Sequence, residues 1–274
     1  MANINDFKGV LVYTHSTVKY TLDDVHKFAK NAPNVKDYVI LNREYEITGG
    51  EMMDQALDVA KLIYQSKPTA RIWLGIPTYD SIMKLPFWYN KAYLEVLKSK
   101  FLNDSVGKLI WKNCVKGIYI NMEAIYGDVD YSSSSTLLNN ASIKLANDIS
   151  YFVRNELQLY DEDTSETNLD VLWIPYYGYN SNAATIIKNL GHVISRTNIF
   201  DIAIIQPTYY FYYTIDSDGN YESKVETDEQ LKTNLNGVKN SLIKNSVCYR
   251  DGIEVYTRAS NATATIGFEM EIDH

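Results

Sequence analysis

Short, continuously apolar runs alternate along almost the whole chain with stretches whose apolar residues fall at helical spacing. The first run is Val10-Leu11-Val12-Tyr13. Thr21 then reads as a helix N-cap, with Asp24 three residues on and Leu22, Val25, Phe28 and Ala29 on one face. The second run is Tyr38-Val39-Ile40-Leu41; its helix carries Met53, Ala56, Leu57, Ala60 and Ile63 and stops before Pro68. The third is Ile72-Trp73-Leu74-Gly75-Ile76, with a helix over 88–101. The fourth, Gly117 to Glu123, precedes a serine-rich loop (Ser132 to Ser135) that caps a helix bearing Leu138, Ala141, Leu145, Ile149 and Phe152. The fifth, Val171 to Pro175, leads to a helix over 183–194, and the sixth, Ile202 to Pro207, to one presenting Leu231, Leu235, Val238 and Leu242. The last strand is expected over Ile266 to Ile272, with residues 246–265 left irregular.

Six strand-then-helix units followed by a seventh strand predict a parallel sheet covered by helices. Runs without polar alternation suit strands buried on both faces. No glycine-rich phosphate loop follows the first strand, where the residues are Tyr13-Thr14-His15-Ser16-Thr17, so a doubly wound nucleotide-binding fold is disfavoured. The expected class is α/β, a TIM-like (β/α) barrel of seven or eight parallel strands, with 1–274 as a single domain. Tyr209 to Ile215, a turn at Asp216-Ser217-Asp218-Gly219-Asn220, and Tyr221 to Val225 predict a β-hairpin inserted near 207–226. Its aspartates lack EF-hand spacing.

Composition narrows the partners. A net charge of -8 with no run of Lys and Arg argues against nucleic acid and favours a neutral or polar ligand. The two cysteines, Cys114 and Cys248, lack metal-ligand spacing and read as packed thiols. Four histidines without paired spacing give no zinc site, and no metal or cofactor is expected. His15, after the first strand, could contact substrate but reads first as a structural hydrogen-bonding residue; Asp128-Val129-Asp130, just after Glu123, could bind a cation but reads first as a turn. No apolar stretch reaches the roughly 18 residues of a membrane span. Met1 to Asp6 shows no signal peptide, although a chain trimmed of a leader for an extracellular or cell-surface location reads the same. Oligomeric state has no signature in the chain. The 23 tyrosines stand out, because a phenol ring offers a flat apolar face and a polar edge for stacking on sugars or packing at interfaces.

In α/β barrels the working site lies at the carboxyl ends of the strands. At the fourth, alternation puts Tyr119, Asn121 and Glu123 on one face, away from Ile118, Ile120 and Met122. On the last strand Gly267, Glu269, Glu271 and Asp273 share a face opposite Phe268, Met270 and Ile272. Such carboxylates are costly unless they line a wet cavity, or cost little if the strand is an exposed edge. Two carboxylates facing across a barrel mouth are what glycosidic cleavage requires: one protonated acid, and one nucleophile or base. Glu123 is the candidate acid/base and Glu269 the nucleophile, with Glu271 and Asn121 as substrate contacts. Other strand ends supply Arg43, Tyr79, Tyr177, Gln206 and Tyr209 to hydrogen-bond or stack on a sugar.

The placement resembles retaining glycosidases whose two glutamates end strands four and seven, although Met122 stands where that group has Asn before its acid/base. Trp173-Ile174-Pro175-Tyr176-Tyr177, Ile205-Gln206-Pro207-Thr208-Tyr209-Tyr210-Phe211 and Gly267-Phe268-Glu269-Met270-Glu271-Ile272-Asp273 resemble an uncharacterised family of bacterial glycoside-hydrolase-like barrel domains. That resemblance is strongest over 170–274 and implies the barrel and a role for Gln206, Tyr209, Glu269 and Glu271. It implies a glycosidase-like protein, sometimes surface-associated, acting on a polysaccharide. The competing expectation is a carbohydrate-binding or surface-recognition barrel without chemistry.

Overall fold

A computed structural model describes residues 7–14, 20–42, 49–77, 85–122, 124–125, 127–157, 169–175, 183–205, 213–215, 218, 221–223, 245–250, 253–258 and 263–266. The first five apolar runs become strands β1 (Gly9–Thr14), β2 (Asp37–Asn42), β3 (Arg71–Gly75), β4 (Val115–Ile120) and β5 (Asp170–Trp173). They pair side by side in chain order, every pair parallel. Val10, Val12, Ile40, Ile72, Leu74, Ile118 and Leu172 are all buried, as continuously apolar strands between covering layers should be.

The helices that follow the first four strands carry their expected signals. Helix α1 (Leu22–Asn31) starts at Thr21, whose side chain accepts from Asp24 N while the Asp24 carboxylate accepts from Thr21 N, a complete capping box. Helix α2 (Gly49–Ser66) ends before Pro68. The single helix expected over 88–101 is two: α3 (Phe87–Asn103) and α4 (Ser105–Asn113), broken where Asp104 leaves the helical region and caps α4. The serine-rich loop also builds more than a cap. Ser133 starts the one-turn helix α5 (Ser134–Leu137), and Asn140 then caps α6 (Ala141–Phe152) through Ser142 N and Ile143 N. Leu138 therefore lies between helices rather than on the longer one. A π-helical turn, Val153–Leu157, follows.

Helix α7 (Ala183–Arg196) follows β5 and completes the fifth unit, and β6 (Ile202–Ile205) opens the sixth. The antiparallel pair β7 (Tyr213–Ile215) and β8 (Tyr221–Ser223) is the expected hairpin. Residues 231–242, expected as a helix, lie outside the described residues. Where irregular structure is expected there are instead β9 (Asn245–Arg250) and β10 (Ile253–Arg258), antiparallel to each other, with β10 antiparallel to β11 (Thr263–Ile266). The signal was present: Asp251-Gly252 separates two runs rich in β-formers, the strongest short hairpin cue. The last parallel strand is thus β11, beside β6, and it ends at Ile266, where the expected strand starts.

The class is α/β with parallel strands alternating with helices. Among the described residues β1 pairs with β2 alone, so the strands do not close into a ring there. Two compact units divide the chain, one built mainly on Met1–Met122 and Leu145–Trp173, the other on Glu123–Lys144 and Ile174–Gly267. In the first, Trp73, Trp173, Tyr119, Phe101 and Phe152 are almost wholly buried. Gly117 has a local cause: a Cβ there would sit 2.0 Å from Asp170 O and 2.7 Å from Trp73 Cζ3. Among the described residues no helix is long and apolar enough to cross a membrane.

Candidate functional site

The carboxyl end of β4 is where the sequence points, and it is built from buried polar groups. The strand stops at Ile120, short of the expected Glu123, because Met122 N turns back to donate to Ile120 O at 2.9 Å. Such a two-residue closure is a γ-turn-like bend centred on Asn121. The strict alternation used to place Glu123 therefore ends at Asn121. Up to that point it holds: the Tyr119 hydroxyl donates to Asn121 Oδ1 at 3.2 Å, so both side chains share a face, and both are buried. The neighbouring strand ends lock the bend. Trp173 Nε1 donates to Met122 O at 2.6 Å, and Ile76 N donates to Tyr119 O at 3.0 Å.

At β1, Thr14 is buried and its hydroxyl donates to Leu41 O at 3.4 Å, while Tyr20 closes over the strand by donating to Tyr13 O at 2.7 Å. Every polar side chain described at these strand ends is neutral: Thr14, Tyr119 and Asn121 can fix a ligand through hydrogen bonds but do not carry protons in acid–base work at neutral pH. Of the candidate site residues, only Asn121 is described. Glu123, Glu269, Glu271, Gln206, Tyr79, Tyr177, Tyr209 and Arg43 lie outside the described residues, as does His15.

Within the second unit the segment after Glu123 carries a polar cluster that the sequence reading did not single out. Asn189, on α7, is completely buried; its Nδ2 donates to Ile125 O at 2.7 Å and Gly127 O at 3.2 Å. Its Oδ1 accepts from the Tyr131 hydroxyl. The Tyr131 ring stacks on His192 with centroids 4.2 Å apart, and Lys188 Nζ lies 4.4 Å from the Tyr131 centroid. Burial, and then the charge of Asp128, raise the Tyr131 phenol above its ordinary value. The available signal was an Asn on the apolar face of a helix, between Ile186 and Val193.

Asp130 behaves as the expected turn residue. Its carboxylate accepts from Ser132 N at 2.8 Å, and the Ser132 side-chain and backbone hydrogen bonds hold it below the usual carboxylate range. Among the described residues no group of three or more His, Cys, Asp or Glu could hold a metal ion. Cys114 is buried, which pushes its thiol up, and its sulfur lies 3.5 Å from Pro68 O, a packed thiol.

No family model and no curated protein matches the chain. Solved structures overlap it loosely. A chitinase from Chromobacterium violaceum aligns at 8% identity and TM-score 0.41, over 93% of this chain and 84% of that one. The GH18 chitinase ChiB of Flavobacterium johnsoniae aligns at 12% identity and TM-score 0.34, over 85% and 64%. PhdJ bound to a substrate intermediate aligns at 11% identity and TM-score 0.36, over 87% and 59%. The chain thus spans less than two thirds of the length of two of the three. Overlaps this loose transfer neither activity nor site residues.

Proposed function

We propose that this chain is a glycoside-hydrolase-like (β/α) barrel, one domain over 1–274, that cleaves O-glycosidic bonds of a polysaccharide. Glu123 acts as acid/base and Glu269 as nucleophile. Asn121, Glu271, Gln206, Arg43, Tyr79, Tyr177 and Tyr209 contact the sugar. The observation that carries the reading is the buried Tyr119–Asn121 pair at the carboxyl end of β4, next to the turn that leads into Glu123. Carboxyl ends of parallel strands are where α/β barrels work, and buried hydrogen-bonding groups there suit recognition of sugar hydroxyls.

A second reading is a carbohydrate-binding domain without chemistry, supported by the buried Tyr119–Asn121 pair, whose hydrogen-bonding groups suit recognition of a sugar whether or not it is cleaved. Both are tested on the same samples. Reducing ends released from a polysaccharide panel report turnover, and calorimetry reports binding. Glu123→Gln and Glu269→Gln should abolish turnover while folding and binding persist, because Gln keeps the shape but can neither give a proton nor form a glycosyl ester. Losing general acid catalysis costs about 10²- to 10⁴-fold, and Glu123→Gln should partly recover on aryl glycosides whose leaving groups need no proton. Binding without turnover in the parent protein selects the second reading.

A further inference from the structure

Two exposed aromatic rings flank one contact between helices. Trp88, on α3, is 69% exposed and Tyr151, on α6, is 63% exposed. Trp88 directly follows Phe87 and Tyr151 directly precedes Phe152, and the Phe87 and Phe152 rings meet edge to face with centroids 6.3 Å apart. The two segments run the same way through this contact, because Phe87 meets Phe152 and, one turn on, Lys91 bonds Glu156 at 2.6 Å. In two right-handed helices so aligned, the residue after the contact on one and the residue before it on the other turn to the same side. Trp88 and Tyr151 therefore stand together on the outer surface, one on each side of the seam. Helices in contact usually lie with axes about 8 to 10 Å apart, so a single sugar ring does not bridge the two side chains. The edge of Tyr89 steadies the Trp88 ring, with centroids 6.0 Å apart. One turn further, the part-exposed Lys91–Glu156 pair spans the seam and offers a donor and an acceptor.

We propose that Trp88 and Tyr151 form a binding platform for an extended, uncharged polysaccharide chain, made of helix residues rather than strand-end ones. A Trp or Tyr ring lays its flat apolar face on the C–H face of a sugar, while polar groups beside it bond the hydroxyls. Lys91 is already paired with Glu156 and lies 4.0 Å from Glu95, so an uncharged chain fits this surface better than an acidic one. A second copy of the protein is the poorer occupant. A specific protein interface covers about 800 Å² per partner around an apolar centre. Here the exposed positions next to the rings include Glu95, Asn155 and Glu156, with Val96 as the larger apolar residue. The platform rests on the proposed function for its ligand class but not for its site, and it serves a hydrolase and a binding domain alike by holding the protein to its polymer.

The test follows Trp88 fluorescence in the full chain. Trp73, Trp111 and Trp173 are buried, so the emission that iodide quenches comes from Trp88, and the quenching should vanish in Trp88→Phe. The probes are hexasaccharides of β-1,4-linked glucose, xylose and N-acetylglucosamine, with free glucose as the control. At least one hexasaccharide should shield Trp88 from iodide, and glucose should not. Tyr151→Ala leaves Trp88 in place and opens no cavity, since the side chain is exposed; it should weaken that binding about two- to tenfold, the loss of one stacked ring. No shielding by any of the three hexasaccharides overturns the proposal, and so does shielding that Tyr151→Ala leaves unchanged. Shielding that grows with protein concentration in the absence of sugar assigns the face to a second copy and overturns it too. The two readings fail separately. Turnover without shielding keeps the hydrolase and removes the platform, whereas shielding without turnover keeps the platform and removes the hydrolase.

Discussion

Asp37 carries the first strand ends in a way its neighbours in sequence do not announce. Its side chain is fully buried, and three donors converge on it: Lys8 N at 2.9 Å, Trp73 Nε1 at 3.0 Å and the Arg71 guanidinium. The carboxylate thereby ties the starts of β2 and β3 to the residue before β1. Removing one partner of a buried, hydrogen-bonded charge pair typically costs about 3 to 5 kcal/mol. Asp37→Ala should lower stability by that order, read as a lower urea midpoint, whereas Asp37→Asn, which can keep some of the bonds, should cost less. Because Asp37 sits at the amino ends of the strands, any ligand binding by the folded fraction should survive. In the sequence Asp37 reads as a polar residue ahead of an apolar run, since its partner Trp73 lies 36 positions away. Asn189 was illegible for the same reason: its partners, Ile125 and Gly127, are more than 60 positions off. Side-chain chemistry of this kind is fixed by tertiary contact, which periodicity does not encode.

Elements were far more legible, because local signals decide them. The Thr21–Asp24 capping box and the stop before Pro68 are short-range physics, and α1 and α2 follow them. Local signals also mark the elements where structure and expectation differ. Asp104 ends α3 and starts α4, accepting from Val106 N at 3.0 Å and Gly107 N at 2.8 Å and pairing with Lys61 of α2 at 2.6 Å. The Lys61 hydrogen bond first, and then the Gly107 N–H, depress its pKa. A carboxyl with a lower pKa folded than unfolded stabilises the native state at pH above the unfolded value, about 3.9. That contribution is lost as pH falls through the folded value. Asn also caps helices well, so Asp104→Asn should keep α4 while losing the pH-dependent part. The stability gap between wild type and Asp104→Asn, read from urea midpoints, should be widest at pH 5 to 7 and shrink steadily on acidification. A gap independent of pH would mean that the cap and the Lys61 pair contribute nothing through charge.

At the scale of the whole molecule, alternation of strand and helix was enough to read the α/β class, whereas ring closure depends on pairings that no local pattern specifies. The polypeptide passes from the first unit to the second after Met122, returns at Leu145 and leaves again after Trp173. Neither unit is therefore a continuous stretch of chain. Helix α6 (Ala141–Phe152) begins in one and continues in the other, and helix formation is cooperative along its length. In the first unit β5 completes the parallel set, and Trp173 caps the bend at Met122, so that sheet is finished only by residues the chain reaches after its excursion. Interleaving of this kind favours the single-domain reading over two modules that melt separately. Scanning calorimetry should then give one endotherm whose calorimetric and van't Hoff enthalpies agree, with circular dichroism and tryptophan fluorescence changing together. Fluorescence is informative here because Trp73, Trp111 and Trp173 are buried while Trp88 is 69% exposed, so the signal reports mainly on the packed interior. Two resolved endotherms, with the tryptophan signal following only one of them, would show that the units unfold independently and would end the single-domain proposal.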